Sequence, residues 1–215
     1  MPNYFLYLNT LIAVTLTPLV CIKLYRLIRK PKPLKQVLFA NNISGCCSDT
    51  NFSTVNTCPN QYCFKNNLWQ IVRLIDQSQN SICLALYTLS LDDVKNALTR
   101  AKCRGVQIRI ITTEESMKNL SRDFTRLSTS GIAIRFPLHG TERLLHHKLC
   151  IIDGEDRKYR QSKQSVPVLL SGSMNWTMSS FTSNWDNITI DSDYDVVKKS
   201  QREFDSMWDS FKRSN

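Results

Sequence analysis

From residue 68 onward the apolar positions follow two alternating periods. Leu68, Ile71, Leu74 and Ile75 recur at helical spacing, and SICLALYT (81–88) is an apolar run of the length of a buried strand. Ser90 with Asp93 three residues later predicts a capping box for a helix carrying Leu91, Val94, Ala97, Leu98 and Ala101, closed by Gly105. Strand VQIRIIT (106–112), an amphipathic helix from about Glu115 to Ser128, Gly131 as its stop signal and strand IAIRF (132–136) follow. This alternation predicts an α/β domain with a largely parallel, helix-covered sheet. The second half is less regular. Strands are expected at His146–Ile152, 167–173 and 186–191, with a short helix from Asn175 to about Thr182. A last helix from about Tyr194 to Phe211 puts Val197, Phe204, Met207, Trp208 and Phe211 on one side, as core cover.

The first third of the chain is patterned differently. Residues 4–22 carry no charge and are long enough to cross a bilayer. Six basic residues and no acidic one lie between Lys23 and Lys35. Positive charge after the apolar run, with no small-residue cleavage site, points to an uncleaved anchor that keeps the rest of the chain in the cytosol. Pro31 and Pro33 stiffen a linker, and residues 41–67 are polar and rich in Asn, Ser, Thr and Cys. The expected organisation is an anchor and basic linker (1–35), a Cys-rich insert (36–65) and one catalytic domain (66–215).

Charge narrows the partners. A formal net charge of +10 attracts phosphate, hence nucleic acid or anionic lipid, without choosing between them. Of eight cysteines, Cys83, Cys103 and Cys150 sit in apolar or amphipathic segments as small hydrophobes. No regular disulfide framework emerges, which favours a reducing compartment. Cys46, Cys47, Cys58 and Cys63 gather in the one stretch without a core of its own. Four thiolates would satisfy tetrahedral zinc; a disulfide or exposed thiols are the alternatives.

Only three histidines occur, and two of them, His146 and His147, stand side by side before the apolar run LCII. If the strand begins at His146, alternation puts His146 and Lys148 on one face and His147 on the other, as a support residue. An imidazole beside an ammonium suits phosphodiester chemistry: the ring attacks or carries a proton, and the cation neutralises phosphate oxygens. H-x-K alone is too short to carry that conclusion. Asp153 is read as a motif residue with a structural role, ending the strand through a turn with Gly154. Trp176 and Trp185 are given no site role, since tryptophan near a helix start is usually packing.

His146, Lys148 and Asp153, followed by Gly172, Ser173 and Asn175, resemble the HKD signature of the phospholipase D superfamily, H-x-K-x4-D and then G-S-x-N. The likeness runs from about residue 66 to the C-terminus and is closest to the Zucchini, or mitochondrial phospholipase D, branch. Shared features are the N-terminal anchor, a single HKD copy, a cysteine-bearing insert, GSMNWT (172–177) and the segment SNWDNITI. The resemblance implies a phospholipase D-like mixed sheet flanked by helices and a homodimer that unites two motifs in one site. It implies His146 as nucleophile, the second subunit's His146 as general acid, and Lys148, Asn175 and Ser173 as phosphate ligands. Asp186, aligned with the family's glutamate, would orient His146. No catalytic metal is implied; a structural zinc is. The family pattern at the insert is similar to Cys3His, so Cys63 would replace the histidine or one of Cys46 and Cys47 would be idle.

The function so implied is a metal-independent endonuclease on the mitochondrial outer membrane, facing the cytosol. It would cut single-stranded RNA (piRNA precursors) and leave 5′ phosphates. A cardiolipin hydrolase releasing phosphatidate is the alternative. An inactive scaffold is a third, against which intact His146, Lys148 and Asn175 argue. The segment 154–171 is longer than the family's usual turn and carries Arg157, Lys158, Arg160 and Lys163, read as a solvated loop.

Overall fold

The computed structural model describes residues 33–41, 58, 60, 62–137, 145–154 and 165–213. The candidate anchor, Cys46, Cys47 and the basic loop at 157–163 lie outside them. Among the described residues no helix is long and apolar enough to cross a membrane.

In chain order the elements are β1 (Lys35–Ala40), α1 (Phe64–Asp76), β2 (Ser81–Leu86), α2 (Asp92–Cys103), β3 (Gln107–Ile111), α3 (Glu114–Asn119), α4 (Ser121–Thr129), β4 (Ala133–Phe136), β5 (Lys148–Ile152), β6 (Val168–Gly172), α5 (Met178–Thr182), β7 (Asp186–Asp191), α6 (Tyr194–Ser210) and β8 (Lys212–Arg213). The strands form one sheet ordered β1-β7-β6-β5-β2-β3-β4-β8. The sheet is mixed, not largely parallel. β2, β3 and β4 run parallel, as helical crossovers require, whereas β5, β6, β7 and β1 pair antiparallel. Strand–helix alternation holds only as far as β4, so the parallel expectation fails beyond it.

Every residue of β2 is buried because both faces of this central strand are covered, which is why SICLAL reads as a run and not as an alternation. Ile82, Leu84 and Leu86 join Leu68, Ile71 and Ile75 of α1 and Val94 and Leu98 of α2 in the larger core. Cys83 and Ala85 face the other way, with Leu149, Ile151, Val197, Phe204 and Trp208. Helix α6 covers that second face. Asp193 caps it by accepting hydrogen bonds from the Asp195 and Val196 amides (3.0 and 3.3 Å). Arg109 of β3 lies over the Phe204 ring (5.0 Å) and bonds Asp205 (2.7 Å), so its charge is paired where its stem is covered.

Three local expectations are corrected. The capping box does not form: α2 starts at Asp92 with Leu91 as N-cap, and the Ser90 and Leu91 amides donate instead to the Trp176 carbonyl (3.0 and 3.2 Å). That tertiary bond satisfies the helix entry without a side-chain cap. The predicted helix over 115–128 is two helices broken at Leu120, which leaves helical geometry at φ −116°, ψ 32°. Met117, Leu120, Phe124 and Leu127 keep helical spacing across the break, so the pattern hides it. Finally, KQVLFA forms edge strand β1, for which no strand was expected. Leu38 and Ala40 point into the core, and the Asn67 side-chain Nδ2 of α1 donates to the Phe39 carbonyl (2.9 Å). Gly105 and Gly131 do end their helices, at φ +91° and +87°.

Asp153 closes the far end of β5. Its buried carboxylate accepts hydrogen bonds from the amides of Gln79 (3.1 Å), Asn80 (2.7 Å) and Ser81 (3.0 Å), the turn between α1 and β2. Its own amide donates to Ser81 O (2.8 Å), and φ is +54°, a left-handed conformation that aspartate tolerates better than most residues. The carboxylate holds a neighbouring turn instead of turning its own strand with Gly154.

Candidate active site

Antiparallel pairing of β5 with β2 sets Lys148 opposite Leu86, at the carboxyl end of β2 and β3. The carboxyl end of β6 and the start of β7 arrive at the same rim. Ligands in sheets with parallel strands gather at such an edge. His146, Lys148, Ser173, Asn175 and Asp186 all belong to it by position in the sheet. Asp153 does not: it bonds at the amino end of β2, with the full length of β5 between it and Lys148.

The strand starts at Lys148, not at His146, and both imidazoles are exposed before it. Buried Leu145, in the α6-side core, anchors the approach. Alternation alone therefore does not separate the two rings: both border an open cleft of about 540 Å³ that also touches Lys148, Leu149, Ser171 and Gly172. Its far wall is Lys199, Ser200 and Glu203 of α6. These three went unrecognised because KKSQRE reads as the solvated side of an amphipathic helix. Nothing in one sequence separates a cleft wall from a solvent face.

Lys148 is only 8% exposed, and its ammonium donates to the His146 carbonyl (2.9 Å). Burial pushes its pKa below the ordinary lysine value, opposed in part by the negative charge of Asp186. A poorly solvated cation of this kind gains strongly from an arriving phosphate oxygen.

Asp186 is held by its neighbours. Ser173 Oγ donates to Oδ1 (2.6 Å) and Asn184 Nδ2 to Oδ2 (3.1 Å), while the Asn187 amide donates to Ser173 Oγ (3.1 Å). His146 makes no hydrogen bond to it. Aspartate is one methylene shorter than the glutamate that the resemblance puts there, which fits a carboxylate engaged by Ser173 and Lys148 without reaching the imidazole. Asn175 is half-buried, and its side-chain oxygen is shielded from solvent with no hydrogen-bond partner. Such a group at a site edge is a place where a ligand donor can be accepted.

Gly172 explains the first letter of G-S-x-N. A Cβ there would stand 2.1 Å from the Asn187 carbonyl oxygen and 2.9 Å from its carbon, so β6 and β7 approach as closely as they do only because it is glycine. The same carbonyl accepts from the Ser173 and Met174 amides (3.1 and 3.3 Å). Gly172→Ala is expected to cost about 2 kcal/mol by overpacking. It should also lower turnover by displacing Ser173 from Asp186, which denaturant unfolding and turnover per folded molecule measure together. Unchanged unfolding and turnover would refute this account of the glycine.

Trp176 is buried in the larger core, as packing predicts, whereas Trp185, next to Asp186, is 72% exposed. Of the zinc candidates, buried Cys63 is the N-cap residue of α1 and half-buried Cys58 lies just before it. The Asn66 side chain donates to the Cys58 carbonyl (2.8 Å) and the Asn67 amide to the Cys63 carbonyl (3.1 Å). Two soft sulfur donors held on one short stretch fit half of a thiolate zinc site. Among the described residues no group of three or more metal-ligating side chains forms.

The family model "Cardiolipin synthase, PLD-like domain" matches residues 71–208. A mitochondrial cardiolipin hydrolase of Drosophila melanogaster is 30% identical over 202 residues, covering 86% of this chain and 79% of the relative. One from Xenopus laevis is 30% identical over 189 residues, covering 87% and 82%. Among solved structures, Nuc from Salmonella typhimurium, a phospholipase D family member, matches with a TM-score of 0.61 and 19% identity, over 86% of this chain and 99% of its own. NucT from Helicobacter pylori gives 0.63 and 16%, over 85% and 100%. At these identities the two structures speak to the fold.

Proposed function

The chain belongs to the phospholipase D-like family, and on that premise we propose that it is a phosphodiesterase in which His146 attacks phosphorus. The supporting observation is the meeting of exposed His146, the desolvated Lys148 ammonium and the Ser173–Asp186 pair at one rim of the sheet. In the first step an imidazole nitrogen forms the N–P bond as the P–O bond to the leaving alcohol breaks. His146 of the partner subunit protonates that oxygen. In the second, the partner's ring takes a proton from water, whose oxygen displaces the histidine from phosphorus. One motif per chain makes the working unit a homodimer. Lys148 and Asn175 hold the phosphate oxygens, with Ser173 assisting.

The substrate we favour is single-stranded RNA, cut to leave 5′ phosphates as in piRNA maturation, a reading that rests on the resemblance to the Zucchini branch, since the net charge of +10 suits RNA and anionic lipid alike. The second reading, cardiolipin hydrolysis to phosphatidate, is favoured by the names of the relatives. We place the protein on the mitochondrial outer membrane with the catalytic unit facing the cytosol: the relatives' names support a mitochondrial location, and the uncharged 4–22 segment with its basic flank supports membrane attachment in that orientation. We also propose one structural zinc per subunit, held chiefly by Cys58 and Cys63 with Cys46 or Cys47, which shapes the segment before α1 and takes no part at phosphorus.

Full-length protein in detergent, given labelled single-stranded RNA or cardiolipin vesicles in EDTA, tests this. RNA cleavage with 5′-phosphate products is expected. Cleavage of the lipid alone would reverse the choice of substrate, and immediate loss of all hydrolysis in EDTA with the fold preserved would show a catalytic metal.

A further inference from the structure

We infer that Lys199 of α6 forms a second phosphate subsite, holding the phosphate next to the scissile one in a nucleotide chain. The inference rests on the phosphodiesterase reading above and extends it to how a chain substrate is seated. One cleft is bordered by His146, His147, Lys148 and Ser171 on the sheet side and by Lys199, Ser200 and Glu203 of α6. Leu149 pairs with Ser171 across β5 and β6, so both side chains stand on the α6 side of the sheet. Lys199 and Glu203 are both exposed and stand one helical turn apart. Lysine before glutamate is the weaker order for such a pair, and no ion pair forms between these two residues. Lys199 thus borders the cleft without being consumed by its neighbour on the helix.

Glu203 sets a limit on the same wall. One carboxylate beside one ammonium leaves the wall near neutral, so the cleft attracts a single anion at Lys199 without drawing in a run of phosphates. It also offers an acceptor for a hydroxyl or amino group of the nucleotide between the two phosphates. A cleft of about 540 Å³ has room for that unit.

The test compares the dinucleotide ApA, with one phosphodiester, against pApA and ApAp, which add a terminal phosphate at either end. The full-length wild type is expected to cleave one of the phosphorylated forms with kcat/KM about tenfold above ApA, the size of one charge-assisted hydrogen bond. Lys199→Ala should bring that ratio close to one, Lys199→Arg should keep it, and Glu203→Gln should raise it. Lys198→Ala is the control: Lys198 lies over the Tyr194 ring (5.6 Å) and does not border the cleft, so the ratio should stand. A wild-type ratio near one, or a ratio that Lys199→Ala leaves unmoved, overturns the subsite. So does a Lys199→Ala defect confined to cardiolipin vesicles, which would assign the lysine to a lipid phosphate. Bis(p-nitrophenyl) phosphate, with no second phosphate, reports the chemistry separately: no hydrolysis of it or of ApA by the wild type overturns the functional reading and the subsite with it.

Discussion

Replacing His146 with asparagine is expected to lower single-turnover cleavage by at least about a thousandfold, the scale of losing a nucleophile. His146 is exposed, so the substitution removes no core volume and the thermal transition should stay where it is. His147→Asn borders the same cleft and should cost far less, since it leaves the attacking ring in place. A His146→Asn protein that retains a near wild-type rate would end the phosphohistidine mechanism. The reverse ranking of the two variants would transfer the role to His147.

Asp153→Ala is expected to act on stability. It removes the buried acceptor for three backbone amides, at Gln79, Asn80 and Ser81, and it leaves alanine at φ +54°. Orphaned donors and left-handed strain together should cost about 4 kcal/mol. Urea unfolding of the full chain reads this as a lowered midpoint, and Asp153→Asn, which keeps one acceptor oxygen, should lose less. Turnover per folded molecule should survive in both. Full stability with abolished turnover would mean that the third letter of the motif acts at phosphorus after all.

That contrast shows what sequence makes legible. H-x-K-x4-D reads as one chemical unit because its letters are close in the chain, yet a strand carries residues away from each other at about 3.3 Å per step. His146 and Asp153 therefore end on opposite edges of the sheet. The elements with strong period emerged because apolar spacing directly encodes burial: α1 by its apolar positions, and β2, α2 and α6 at nearly their observed bounds. β1 did not, since its burial depends on β7, far away in the chain. Of the candidate site residues, Lys148, Ser173 and Asp186 do come to one rim of the sheet, as their places on β5, β6 and β7 require. The bonds Asp186 makes, to Ser173 and Asn184 and not to His146, were not legible, because spacing carries no information on reach. Lys199 and Glu203 were invisible for another reason: their role depends on which side of α6 the rim of β5 and β6 meets.

The carboxylate clamp of Asp153 also separates two histories in one hairpin. Ile152 pairs with Val168, so the whole connection between β5 and β6 leaves and re-enters the sheet at the edge away from His146. The clamp fixes the point of departure, and closing a longer connection costs little more than closing a shorter one. Insertions and deletions at that end are therefore expected to be nearly neutral for the fold and the site, while the same change at the other end of β5 would shift His146, the proposed nucleophile.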